Sequence, residues 1–371
     1  MTRNTGEGHN RVAQAVAQVF TSQGDDCEVT DALCLVNGGD RDSGKHRADL
    51  LSQMYGWAAL KMPSVFGAVY NLGDLYSRTK APSPIHFQNS QYAGVTYDHI
   101  RGGEFDVAVA THLFPQETLS AVRRSHPGRV RYFSVLTDYS CTPFFSEPAL
   151  DGYFVPHPDM LDDCLKHGLP AQITYPVGLP VNQAFRTAPS KPDARRMLNL
   201  PSDLPVFMLM SGGVGSLYTA EACDRLLTDS GEDVHLVILT GRRQDLFASV
   251  SKRYEADKRV TVVPFTNRVA DYMAAADILL TKPGAVSSTE AAVMGLPLIH
   301  TAAIPGGEVK NAHFFADHGM SLYNQKPSEA ARLVHWLLAD QDKLDAMRAH
   351  QHEAMIADGA EHIVAQIKAH V

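Results

Sequence analysis

Ile278-Leu-Leu-Thr-Lys-Pro-Gly-Ala-Val-Ser-Ser-Thr-Glu290 reads as a buried strand, a Pro-Gly turn and the start of a helix expected over Thr289–Met294. A strand feeding a glycine-bearing turn and then a helix is the unit of a parallel α/β sheet. Gly284 lets backbone come close to a ligand. The amides at a helix start favour an anion such as a diphosphate, with Ala285 and Ser287 beside it. Glu290 has the chemistry to accept two hydrogen bonds from a ribose diol. The same residues carry a second reading, because Ser287-Ser-Thr-Glu290 matches a helix capping box.

Outward from this unit the alternation continues. Candidate strands are Glu28–Cys34, Phe105–Thr111, Val130–Thr137, Gly152–Pro156 and Gln172–Val177, then Val206–Met210, Val234–Thr240, Val260–Val263 and Leu296–His300. Helical patterns separate many of them, among them Pro158–His167 and Arg268–Ala276. The expected architecture is α/β, with two doubly wound, Rossmann-like domains facing a cleft. Tyr175-Pro-Val-Gly-Leu-Pro-Val181 is the expected hinge. The boundary is set at 177/178, with the helical stretch 346–371 a candidate to cross back to the first domain.

Three further loops are candidate site elements. Ser211-Gly-Gly-Val-Gly-Ser216 follows a strand, and amides at Gly213, Gly215 and Ser216 suit phosphate oxygens, although a plain tight turn reads equally well. Ile304-Pro-Gly-Gly-Glu-Val-Lys-Asn311 offers Gly306, Gly307, Glu308 and Asn311 to sugar hydroxyls. Asn4-Thr-Gly-Glu-Gly-His-Asn10 delivers His9, next to Gly8, to a helix expected over Arg11–Phe20. An imidazole titrating at about 6.5 is suited to take a proton from an alcohol, although a lone histidine is more often structural. No strand precedes that loop, so the first strand of the first domain reads as missing. Asp138, after a strand, is a second candidate base, or a turn cap.

Other patterns read as decoys. Asp40-Arg-Asp42 matches a metal-binding D-x-D but sits in a polar loop, and His350-Gln-His352 has a spacing that points its rings apart on a helix. Leu50–Leu75 is rich in large apolar residues, including Trp57 and Phe66, with Lys61, Arg78 and Lys80 nearby. It suits either an interfacial helix pair or the core of the first domain.

Composition bounds the rest. The 371 residues carry a net charge of −8, which argues against a nucleic-acid partner and confines any attraction to an anionic membrane to a local patch. No run of about 18 apolar residues exists and the start has no apolar signal segment. The five scattered cysteines form no C-x-x-C pair, and no histidine–carboxylate set has ligand spacing, so no metal and no cofactor are expected.

In order along the chain, Thr5-Gly-Glu-Gly-His-Asn10, Leu136-Thr-Asp-Tyr-Ser-Cys-Thr-Pro-Phe-Phe145, Tyr153-Phe-Val-Pro-His157, Val177-Gly-Leu-Pro180, Thr281-Lys-Pro-Gly284 through Glu290, and Pro305-Gly-Gly-Glu308 with Asn311 resemble the monogalactosyldiacylglycerol synthases and processive diacylglycerol glucosyltransferases. The enzyme that forms lipid II is a more distant relative. The resemblance implies a GT-B fold, an acceptor (lipid) domain over 1–177 and a nucleotide-sugar domain over 178–371. It implies inverting transfer of a hexose from a UDP-sugar to diacylglycerol or a related membrane lipid, without a metal, at the inner face of the plasma membrane. It further implies that His9 activates the acceptor, Glu290 binds ribose, and Phe265 and Thr266 meet uracil. The family's Pro-Gly-Gln-Glu reads Pro-Gly-Gly-Glu here, so Gly307 lacks the amide that would contact the sugar. That departure and the missing strand leave open a binding protein without turnover; a UDP-N-acetylglucosamine 2-epimerase fits less well.

Overall fold

A computed structural model describes residues 1–2, 7–32, 35, 63–77, 83–210, 218–229, 234–326 and 329–371. The chain forms two compact units. One comprises Met1–Asn182, Pro305–Gly307 and Ile356–Val371, the other Gln183–Ile304 and Glu308–Met355. The division falls five residues beyond the expected 177/178, counting from Val177 to Asn182. The reason is that the hinge segment is itself packed. Val177 N–H donates to Val155 O at 3.1 Å, and Leu179 and Val181 are buried.

The first unit holds a parallel sheet of four strands in chain order: β1 (Val107–Ala110), β2 (Arg131–Val135), β3 (Gly152–Val155) and β4 (Thr174–Pro176). Of the expected strand Glu28–Cys34, the described residues 28–32 form no strand and carry one bridge, Asp31 to Thr2. The position expected to be empty is held by the first two residues. Met1 N donates to Val109 O at 2.5 Å and Met1 O accepts from Thr111 N at 3.1 Å. On the other side, Thr2 N donates to Thr30 O at 2.9 Å and Thr2 O accepts from Ala32 N at 3.0 Å. The edge beside β1 is therefore occupied, which satisfies backbone groups that a bare edge would leave open.

The helix Glu7–Ser22 begins four residues before the expected Arg11 and buries Val12, Ala13, Ala15 and Val16. It packs against the C-terminal helix Gly359–Lys368, which buries Ile363, Val364 and Ile367. Lys368 Nζ pairs with Asp25 at 2.5 Å on the same contact.

The second unit holds six parallel strands: β5 (Val206–Met210), β6 (His235–Leu239), β7 (Val260–Val263), β8 (Ile278–Thr281), β9 (Leu298–His300) and β10 (Ser321–Tyr323), in the order β10-β9-β8-β5-β6-β7. Chain growth thus runs outward from β5 through β6 to β7, then returns to the other side of β5 for β8, β9 and β10. This is doubly wound topology, with its switch between β5 and β8. All residues of β5, β6 and β8 are buried, as expected where helices cover both faces. Phe207, Leu236, Ile238, Ile278, Val334 and Leu337 lie in one core.

The His350 and His352 pair has a packing role. On helix Gln341–Ala354, His350 lies against Gly319 (φ +68°) and His352 against Gly295 (φ +64°). A Cβ at either glycine would come within 3.0 Å of a ring nitrogen, at 2.4 Å and 2.9 Å respectively.

Gly178 (φ +94°) ties the C-terminal segment to the first unit, since a Cβ there would lie 2.8 Å from Ile356 Cβ. Gly178→Ala combines a left-handed backbone with that overlap. We expect a loss of about 1–3 kcal/mol in urea unfolding. Gly241→Ala (φ +65°, with open space around it) is the control and should cost less. Equal losses would remove the contact with Ile356 from the explanation.

Candidate active site

At the switch point the register pairs Met210 with Thr281, and Thr281 Oγ1 donates to Met210 O at 2.9 Å. Both strands therefore end at the same level. Ligands of doubly wound sheets bind in this position. The loop after β5 covers residues 211–217, so Gly213, Gly215 and Ser216 lie outside the described residues.

The loop after β8 is firmly braced. Buried Asn311 donates from Nδ2 to Pro283 O at 3.2 Å. Lys282 pairs with Glu308, whose other oxygen accepts from Ile304 N at 3.0 Å. Glu308 and Asn311, assigned from sequence to sugar hydroxyls, thus hold the loop in this structure. The helix that follows spans Ala285–Val293, starting four residues before the expected Thr289. Its N-cap is Gly284, and no side chain caps it. The capping-box reading fails on this point, because Ser287 through Glu290 lie within the helix and cannot cap its start. A Cβ at Gly284 would meet nothing within 4 Å, so space lies open beside the uncapped amides. Ala285 is buried and Ser287 half-buried in the first turn; Glu290, in the second turn, is 1% exposed.

Sequence reading missed a support beneath this helix. His300 on β9 is buried, its Nε2 is 2.9 Å from Ser288 Oγ, and its ring meets Phe315 edge-on. Burial pushes His300 down to about 3, so it is a neutral packing residue. Past β7, Phe265 is exposed, and the Arg242 guanidinium sits 3.9 Å over its ring. Thr266 Oγ1 accepts from Arg268 N at 3.0 Å.

In the first unit, Gly8 and His9 lie in the first turn of helix Glu7–Ser22, not in a loop ahead of it. His9 Nδ1 is 2.7 Å from Thr111 O and 3.0 Å from Thr137 Oγ1. Thr111 Oγ1 in turn donates to His9 O at 3.1 Å. A carbonyl can only accept, so Nδ1 carries the proton and Nε2 keeps its lone pair. The His112 ring meets His9 edge-on, with centroids 4.6 Å apart. Asp138 follows Thr137 directly and is half-buried. Burial and the charges of Asp138 and Asp74 push the Tyr70 phenol upward. Gly306 (φ +105°) and Gly307 group with this unit, and a Cβ at Gly307 would lie 3.8 Å from the Asp138 carboxylate. Trp57, Lys61, Asp40 and Asp42 lie outside the described residues, as does the side chain of Phe66.

Residues 9–181 match the model of the monogalactosyldiacylglycerol (MGDG) synthase family, and residues 210–368 match that of the glycosyltransferase family 28 C-terminal domain. The two matches lie in succession and together account for most of the chain, which is similar to an MGDG synthase domain followed by a glycosyltransferase family 28 C-terminal domain. A processive diacylglycerol beta-glucosyltransferase of Bacillus licheniformis is 25% identical over 99% of this chain and 93% of its own length. A probable monogalactosyldiacylglycerol synthase 3 of Oryza sativa is 28% identical over 93% of this chain and 68% of its own. The crystal structure of MurG from Acinetobacter baumannii superposes with a TM-score of 0.56 at 16% identity, covering 76% of this chain and 79% of that one. The two-domain parallel α/β fold is accordingly GT-B.

In the first unit, then, His9 is a neutral imidazole with a fixed tautomer. Burial lowers its pKa, and the Thr111 carbonyl offsets part of that. A lowered histidine stays neutral until the pH falls below the ordinary value of about 6.5. If His9 is the base, the acid limb of kcat against pH lies below about 6.5. A limb at or above that value would assign the titration to another group.

Proposed function

We propose that this chain transfers a hexose from a UDP-sugar to the hydroxyl of diacylglycerol or a related membrane lipid, with inversion and without a metal at the diphosphate. The observation that carries the reading is the tautomer of His9: a carbonyl holds its Nδ1 proton and leaves Nε2 free to act as a base. His9 Nε2 removes the acceptor proton as the oxygen forms its bond to the anomeric carbon. The bond from that carbon to the diphosphate breaks on the opposite face, and UDP leaves with the electron pair. Charge developing on the diphosphate is met by the amides at Ala285–Ser287 and the dipole of their helix. Glu290 holds the ribose diol, and the Phe265 loop meets uracil. The names of the Bacillus and Oryza relatives support the lipid acceptor.

The chain acts as a peripheral protein on the inner membrane face. Among the described residues no helix is long and apolar enough to cross a bilayer. On helix Pro63–Ser77, Leu72 is 67% and Leu75 63% exposed, with Tyr76 beside them, an apolar surface suited to a lipid interface. Asp138, next to the His9 anchor, is the second candidate base.

Two variants separate the roles. His9→Ala should lower kcat about 10²–10⁴-fold while leaving UDP affinity nearly unchanged. Glu290→Gln should weaken UDP binding by about 1.5–3 kcal/mol. Labelled UDP-sugars with diacylglycerol vesicles read the first, and titration calorimetry reads the second. UDP affinity should be the same in EDTA as in magnesium. Full activity in His9→Ala would move the base elsewhere, and a magnesium-dependent UDP affinity would end the metal-free reading.

A further inference from the structure

Inside the first unit, apart from the residues given roles above, three side chains from separate elements converge. His86 lies on helix Pro84–Ser90, Glu117 on helix Leu113–Ser125, and Glu147 in the loop between β2 and β3. His86 Nδ1 is 2.8 Å from Glu117 Oε2 and 3.9 Å from Glu147 Oε1. One ligand atom from each residue lies within 4.8 Å of the others. The arrangement is built from behind by Ser83, itself buried. Its hydroxyl accepts from His86 N at 3.0 Å, and its own N–H donates to Glu147 Oε1 at 2.7 Å.

The cluster leaves a debt of charge. The Glu117 side chain is 0% exposed. Glu117 Oε1 and Glu147 Oε2 are both buried without a hydrogen-bond partner. Buried carboxylate oxygens require a proton, a donor or a cation. Arg124 does not fill this role, because its guanidinium lies 3.2 Å from His86 Nε2, on the far side of the imidazole from Glu117.

We propose that His86, Glu117 and Glu147 form a structural site for a divalent transition-metal ion of the zinc class. One imidazole nitrogen and two carboxylates are a set that zinc accepts, with water completing the coordination. His86 and Glu147 keep 16% side-chain exposure each, which leaves an edge for the ion to enter. Without the ion, burial first and the charge of Glu147 second push Glu117 up to about 9, against Arg124, so a proton sits between the carboxyls. Metal binding releases that proton to solvent. The imidazole proton moves from Nδ1 to Nε2, where Ser90 Oγ lies 3.5 Å away and the exposed Arg124 turns outward. The Tyr153 phenol, also in the field of Glu117, is held up by burial and stays neutral.

The test uses the full chain, dialysed against Zn2+ and then against metal-free buffer, with metal content and Tm read together. We expect one ion per chain retained through this site and a Tm raised by zinc. The rise should be larger at about pH 8 than at about pH 6, because metal displaces a proton. Glu117→Gln keeps the shape and removes the charge. It should fold, lose the bound ion and its Tm response, and melt above the metal-free parent by a margin that grows as the pH rises above the ordinary carboxylate range, because the unfolded carboxyl ionises there while the buried one keeps its proton. Glu147→Gln should also lose the ion. The proposal is overturned if the parent retains no zinc, or if both glutamine variants retain as much as the parent.

Discussion

Parallel pairing of β5 with β8 is the constraint on which the proposed donor site depends. Parallel strands bring all their carboxyl ends to one edge, and the Met210–Thr281 register makes these two end level. The helix that then begins after Gly284 has no side chain at its cap. A serine or aspartate there would stabilise the helix by only about a few tenths of a kcal/mol over glycine, but its side chain would take up the free amides. Glycine leaves the amides unclaimed and open, a local departure from stability of the kind that marks functional positions.

The same constraint operates in the first unit. Thr111 and Thr137 stand just past the ends of β1 and β2, neighbours in the sheet, and both reach His9 Nδ1. The histidine is on a helix, yet its tautomer is set by the edge of the sheet. Met1 and Thr2 complete this edge by pairing on one side with β1 and on the other with Thr30–Ala32. As the proposed base, an imidazole fixed by the ends of two strands is better placed than one on a glycine loop, because small displacements of a catalytic group are steeply penalised.

How much of this is legible in the sequence depends on the range of the interaction. β5 and β8 match the expected bounds because buried parallel strands are continuous apolar runs, and the half-buried edge strand β7 matches because it is β-branched throughout. β10, three residues beginning with Ser321, has no such run and escapes notice. The Ser-x-x-Glu pattern misleads because capping boxes are recognised locally, whereas the true helix start follows from the Pro283-Gly284 turn. His9, Gly284 and Glu290 stand out by type and place, but the carbonyl that orients His9 has no signature at all. The three metal-ligand residues belong to a helix start, a helix interior and a loop, and only folding brings them together.

The return of Ile356–Val371 to the first unit has a consequence for how the molecule is made. Helix Glu7–Ser22 leaves the ribosome long before its partner Gly359–Lys368. At about 5–20 residues per second, the closing helix follows Asn182 by on the order of ten to forty seconds. Through that interval the first unit stands with one helical face unmatched, while the second unit, complete at Met355, finishes ahead of it. The domain synthesised first is the one completed last, so holding the nascent first domain soluble is the demand this architecture places on the cell.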